Sequence, residues 1–164
     1  MFNLKRRLRN AFGGGVIKAH TCLTARLIVD GKYTETRRVV KDKLVTTAFV
    51  DFIVDQLQTE TSEFGDFKYH QCGLGTTAEN ITDVAIETDT GIAPVAGTQV
   101  ETDHDTYKSI ATMTMDATEA IREHVVMNQS GAGVCMDRTL FAAINVVSGN
   151  QIEFTFEISF TAGG

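Results

Sequence analysis

Apolar and polar residues alternate strictly near the end of the chain, where Ile152, Phe154, Phe156, Ile158 and Phe160 are interleaved with polar neighbours. A period of two places these five side chains on one face of a strand. With Thr139 to Val147 before it and Ser148-Gly149-Asn150 between, the pattern predicts a closing hairpin with one face on the core. Val16 to Val29 and Lys32 to Val40 are rich in β-branched and apolar residues, and Asp30-Gly31 between them is a strong two-residue turn signal, so a second hairpin is predicted there. One segment of the body reads as an amphipathic helix that should pack onto a sheet: Val45, Phe49, Phe52, Ile53 and Leu57 fall on one face, with Asp51, Asp55 and Gln58 elsewhere. Further strands are expected over Phe67 to Cys72, over Thr98 to Met115 as one strand or two, and over Ala120 to Met127 before the Gly131-Ala132-Gly133 turn.

Ala78 to Gly97 collects small and acidic residues with the only proline, Pro94. That is loop composition, with one helical turn expected around Thr82 to Ile86. Seven to nine strands with one helix predict a mainly β fold, an antiparallel β-sandwich of jelly-roll-like type, because a βα-alternating parallel fold requires several more amphipathic helices. Residues 16–164 are read as this single domain, and residues 1–15 as a flexible N-terminal arm with the Gly13-Gly14-Gly15 hinge.

Charge sharpens that division. The chain of 164 residues has a net charge of −6, yet Lys5, Arg6, Arg7 and Arg9 place four positive charges in the first twelve residues, so an acidic body carries a basic arm. Such a body repels phosphate backbones, and no specific nucleic acid is expected as a partner. Phe2, Leu4, Leu8 and Phe12 lie among those basic residues at near-helical spacing, which makes the arm a candidate partner-binding segment. No window is long and apolar enough for a membrane span, and no apolar run follows the basic start as a signal peptide requires. Cys22, Cys72 and Cys135 are odd in number and far apart, as expected of buried thiols from a reducing cytoplasm.

Candidate chemistry is sparse. Gly73-Leu74-Gly75-Thr76-Thr77 lacks the lysine and the following helix of a phosphate loop, and its glycines are expected to supply positive φ for a sharp turn out of a strand. In Asp103-His104-Asp105 only the outer carboxylates share a strand face, so a solvated acidic patch is expected. His20, His70, His104 and His124 show no zinc spacing, and Cys135 lacks any nucleophile signature despite His124 nearby. No cofactor, metal or catalytic residue is assigned. Asp137-Arg138 is expected to fix the start of a strand or to reach a neighbouring subunit; an exposed ion pair contributes only roughly 0 to 1 kcal/mol, so real importance implies burial.

Four segments carry a resemblance. They are Phe67-Lys68-Tyr69-His70-Gln71-Cys72-Gly73-Leu74-Gly75-Thr76-Thr77, the helix Val45-Thr46-Thr47-Ala48-Phe49-Val50-Asp51-Phe52-Ile53-Val54-Asp55, the strand Ile121-Arg122-Glu123-His124, and the ending from Met136-Asp137-Arg138-Thr139-Leu140-Phe141 through Phe154-Thr155-Phe156 to Thr161-Ala162-Gly163-Gly164. In this order the chain resembles structural proteins of tailed-bacteriophage virions, most of all capsid decoration or cement proteins. The resemblance implies a homo-oligomer, a trimer being favoured, that binds the major capsid protein on the virion surface and is made in the bacterial host cytoplasm. No functional residue carries over. A phage tail, neck or fibre component, or a glycan-binding receptor module, is the alternative. With no tryptophan and three tyrosines the chain is poor in sugar-stacking platforms, and no enzyme constellation is visible.

Overall fold

The structure, a computed structural model, describes residues 18–42, 45–56, 67–103 and 105–161. Among these residues are nine strands and one helix: β1 (Lys18–Val29), β2 (Lys32–Asp42), α1 (Thr47–Gln56), β3 (Tyr69–Gly73), β4 (Val95–Ala96), β5 (Thr98–Asp103), β6 (Thr106–Thr114), β7 (Glu119–Met127), β8 (Cys135–Val146) and β9 (Gln151–Thr161). They form two antiparallel sheets, the first in the order β2-β1-β9-β6-β5 and the second in the order β4-β3-β7-β8. The mainly β, sandwich-like architecture expected from the alternation is the one observed. The arm residues Phe2, Leu4, Lys5, Arg6, Arg7, Leu8, Arg9 and Phe12 lie outside the described residues, as does Leu57.

The first hairpin forms because Asp30 and Gly31 both take positive φ, 51° and 74°, the backbone twist that matches two right-twisted antiparallel strands. One face of β1 then presents Thr21, Leu23, Ala25 and Leu27 to the interior. β9 supplies the centre of the core with Ile152, Phe154, Phe156 and Ile158, all essentially without solvent contact. Met113 of β6, Ile121 and Val126 of β7, and Ile144 and Val146 of β8 close on them from both sheets.

The predicted closing hairpin does not exist as a pair. β8 belongs to the second sheet, while β9 lies in the first between β1 and β6. The turn at Ser148-Gly149-Asn150, tight enough for Asn150 N–H to reach Val147 O at 3.0 Å, carries the chain from one sheet to the other. Two smaller corrections follow from the hydrogen bonds. β8 begins at Cys135, four residues before the expected start. Around Thr82 there is a single reverse turn, closed by Asp83 N–H on Asn80 O at 2.9 Å, because the Asn80 and Asp83 side chains bond local backbone and compete with helix formation.

Helix α1 is capped by Thr46, whose hydroxyl oxygen accepts from Phe49 N–H at 3.2 Å. Its inner face sets Phe49 and Phe52 edge-on against Phe67, with ring centroids 5.1 and 4.9 Å apart, so α1 packs its apolar face onto the core beside β8, as its periodicity predicts. An apolar cavity of about 220 Å³ lies there, bordered by Phe49, Ile53, Tyr107, Ile158 and Phe160.

Candidate functional site

The long loop between β3 and β4 lies over the outer face of the second sheet, where Ile86 packs on Val125, Met127 and Cys135. Beneath it is Glu123, a carboxylate with no solvent exposure. A register shift between Ile121 and Glu123 lets both Ile121 and His124 face the core, which leaves Glu123 aimed at the loop. Its Oε1 accepts from Gly75 N–H at 2.7 Å and Thr88 N–H at 2.9 Å, and its Oε2 from Glu87 N–H at 3.1 Å and Arg138 Nε–H at 2.8 Å. Four donors converge on one carboxylate, three from the loop backbone and one a cation, an arrangement that compensates its burial.

Arg138 carries the network outward. Its Nη1 donates to Asp83 at 3.1 Å and to Thr77 O at 3.3 Å, and its Nη2 to Glu87 at 2.9 Å. Burial alone lowers the Arg138 pKa, but the bonds to Glu123 and Asp83 carry it above the ordinary guanidinium value. Glu87 is held below the usual carboxylate range by hydrogen bonds from Thr77, with Arg138 adding to them. The glycines that open the loop have a different role from the one expected. Neither Gly73 nor Gly75 takes positive φ; a Cβ at Gly73 meets Thr88 O at 2.4 Å, and one at Gly75 meets Glu123 Oε1 at 2.4 Å. They are small because the loop folds back onto the buried carboxylate.

Asp137 faces the other way, into the seam between the sheets. Lys41 Nζ of β2 lies 3.4 and 3.3 Å from its two oxygens and donates to Arg138 O at 2.6 Å. Thr21 donates to Asp137 Oδ2 at 3.5 Å, and Thr139 is bonded to Oδ1. Glu79, from the loop, reaches Lys41 Nζ at 3.2 Å and accepts from Leu140 N–H at 2.5 Å. Burial raises the Asp137 pKa, and Lys41 works against that rise. Asp137 and Arg138 therefore matter through burial within one chain, on opposite faces of β8, rather than as a surface pair.

The free edge of β8 is occupied along its length. Thr46 N–H donates to Met136 O at 3.1 Å and the Thr46 hydroxyl to Cys135 O; Lys41 takes Arg138 O, Glu79 takes Leu140 N–H, and Arg37 donates to Ala142 O at 3.0 Å and Ala143 O at 3.2 Å. Side chains from β2, the loop and the helix cap thus stand where another strand would otherwise pair.

A second polar chain crosses the core. Ser109 Oγ lies 2.8 Å from His70 Nε2, and His70 Nδ1 lies 2.9 Å from His124 Nε2; all three residues are fully buried. The His124 ring stacks on Phe154 at 4.5 Å, and its Nδ1 is left without a hydrogen-bond partner. Burial pushes the His70 pKa down to about 4 and that of His124 well below its ordinary value, the neighbouring His70 and Lys41 adding to the latter effect. Spacing gave no sign of this pair. Ser–His–His order is compatible with nucleophilic chemistry, but all three groups are without solvent exposure, and with both imidazoles held neutral they form a hydrogen-bonded strut through the core.

The remaining candidates stay apart. Asp105 is exposed and bonded to Thr106, and His104 lies outside the described residues. Burial drives the Cys72 and Cys135 thiols up to about 12, whereas Cys22 is partly exposed. Among the described residues no group of three or more His, Cys, Asp or Glu is placed to hold a metal ion, and no helix is long and apolar enough to cross a membrane. Four large apolar side chains stand exposed on the helix and loop: Val50 at 47%, Val54 at 48%, Ile81 at 53% and Val84 at 66%. Comparison with protein-family models, curated proteins and solved structures finds no match to this chain.

Proposed function

We propose that the chain is a structural protein of a tailed-bacteriophage virion, a decoration or cement protein that assembles with copies of itself and bridges neighbouring major capsid protein subunits. The observation that carries this reading is the presentation of the long loop. Glu123 and Arg138 fix it, Thr47 N–H bonds Ile81 O at 2.8 Å to join it to α1, and Ile81 and Val84 remain exposed along with Val50 and Val54. Apolar side chains held on a firm scaffold lose little freedom on docking, which suits a protein whose task is attachment.

The basic arm supplies the second contact. Phe2, Leu4, Leu8 and Phe12 enter an apolar groove of a capsid subunit, while Lys5, Arg6, Arg7 and Arg9 meet acidic side chains there. Two modest contacts joined by a short linker reinforce one another steeply, because the second forms at high effective concentration. The test is a cryo-electron microscopy count of copies on particles assembled with the full chain and with a chain lacking residues 1–12. The expected result is hundreds of copies on the shell, lost on deletion. Unchanged occupancy refutes the role of the arm, a few copies at one vertex move the protein to the tail or neck, and none refutes the virion reading.

A further inference from the structure

We propose that Lys41 and Asp137 are the two halves of an intramolecular isopeptide cross-link, formed by the protein itself, which joins edge strand β2 of the first sheet to edge strand β8 of the second. The proposal does not depend on the virion reading.

Three conditions for an amine and a carboxyl to condense without a separate enzyme are met at this place. The reacting groups are held together: Nζ lies 3.4 and 3.3 Å from the two carboxyl oxygens, so it sits against both and close to the Cγ it would attack, and a pair held in contact gains from proximity. They are also fixed in orientation, Nζ by Arg138 O at 2.6 Å and the carboxyl by Thr21 and Thr139. Finally, bulk water is excluded, since the Lys41 side chain is 8% exposed and that of Asp137 1%, which disfavours the reverse hydrolysis. A third group completes the set. Glu79 Oε2 lies 3.2 Å from Nζ and, at 19% exposure, is placed between the pair and solvent.

The atoms balance without any co-reactant. Glu79 takes a proton from the Lys41 ammonium, and the freed lone pair attacks Asp137 Cγ to form the C–N bond. One Asp137 oxygen then leaves as water, carrying two of the three ammonium protons, one of them delivered through Glu79. The third proton remains on the amide, and Glu79 ends unchanged. Burial raises the Asp137 pKa, which favours passage of one of those ammonium protons to the carboxyl oxygen that leaves. The driving force is the cost of the alternative: a buried ion pair keeps two desolvated charges, and the amide keeps none.

Intact-mass measurement of the denatured full chain, followed by proteolysis, tests the proposal. The expected result is a mass lower than that of the sequence by one water, and a branched peptide in which Lys41 is joined to Asp137. Lys41→Arg and Asp137→Ala chains should keep the full mass. A Glu79→Gln chain that still melts cooperatively should remain uncross-linked, and cross-linking of that chain at the wild-type rate refutes the proton-carrying role. Full sequence mass in the wild-type chain, or loss of water without the branched peptide, overturns the cross-link.

Discussion

Acid should attack this fold through His70 and His124. Both rings are buried, and burial holds the His70 pKa near 4 against 6.5 for a free imidazole. A histidine whose folded pKa is depressed contributes its full share of stability above the unfolded value and loses it as pH falls. The window for His70 therefore runs from about pH 6.5 down to about pH 4, with a slope of about 1.4 kcal/mol per pH unit and a total of about 3 kcal/mol. His124 is displaced in the same direction, so the slope for the pair approaches twice that value. Such a loss is a large fraction of the roughly 5–15 kcal/mol that stabilises an ordinary domain. Other titrating groups are common to any pair of chains that differ only at the histidines and cancel in the comparison. The assay is urea unfolding of the wild-type chain and of a His70→Gln, His124→Gln double variant at several values from about pH 7 to about pH 4.5. The wild-type advantage should shrink steadily across this range. Parallel pH profiles for the two chains would refute the argument that these rings are buried as neutral bases.

Three further outcomes can be measured. Glu123→Ala leaves Arg138 and three loop N–H groups without their central acceptor, so a loss of about 3–5 kcal/mol is expected, with amide exchange accelerated over residues 75–88. Gly75→Ala should cost at least about 1–3 kcal/mol by overpacking against Glu123, whereas Gly131→Ala, where a Cβ meets nothing within 4 Å, should be near neutral in thermal unfolding. In the native protein a thiol reagent at neutral pH should label Cys22 long before Cys72 or Cys135, whose thiolates are suppressed; simultaneous labelling of all three contradicts their burial.

Most strands were legible because they carry their own alternation, whereas the two-residue β4, Val95–Ala96, is too short to show one and falls inside the stretch read as loop. The face of β9 is readable from Ile152 to Phe160 with no knowledge of its neighbours. What alternation does not specify is the partner. A tight turn such as Ser148-Gly149-Asn150 serves equally well within one sheet or between two, and the long-range pairing of β9 with β1 and β6 is decided by the whole core. Some buried polar groups did leave a local trace. His124 and Val126 share a strand face, as do Ser109 and Ala111, so parity marks both polar residues as inward-facing. Parity could not show that His70, 54 residues away, completes the chain. Glu123 left no such trace: it stands between Arg122 and His124, where nothing local marks a buried carboxylate, and its donors come from a loop whose composition carries no periodicity. The glycines were noticed for the wrong property: sequence shows that a glycine is present, and only packing shows whether it is needed for its φ or for its lack of a side chain.

The position of β9 bears on how the protein comes into being. The first sheet has this strand near its middle, hydrogen-bonded to β1 on one side and β6 on the other. During synthesis β1 and β2 leave the ribosome well before β9 and can form their local hairpin, yet their apolar face must wait for a partner made more than a hundred residues later. Such non-local pairing delays folding of this sheet until β9 has been made. Until β9 emerges the nascent protein thus holds a half-built sheet, dependent on its surroundings to keep that face from the wrong neighbour.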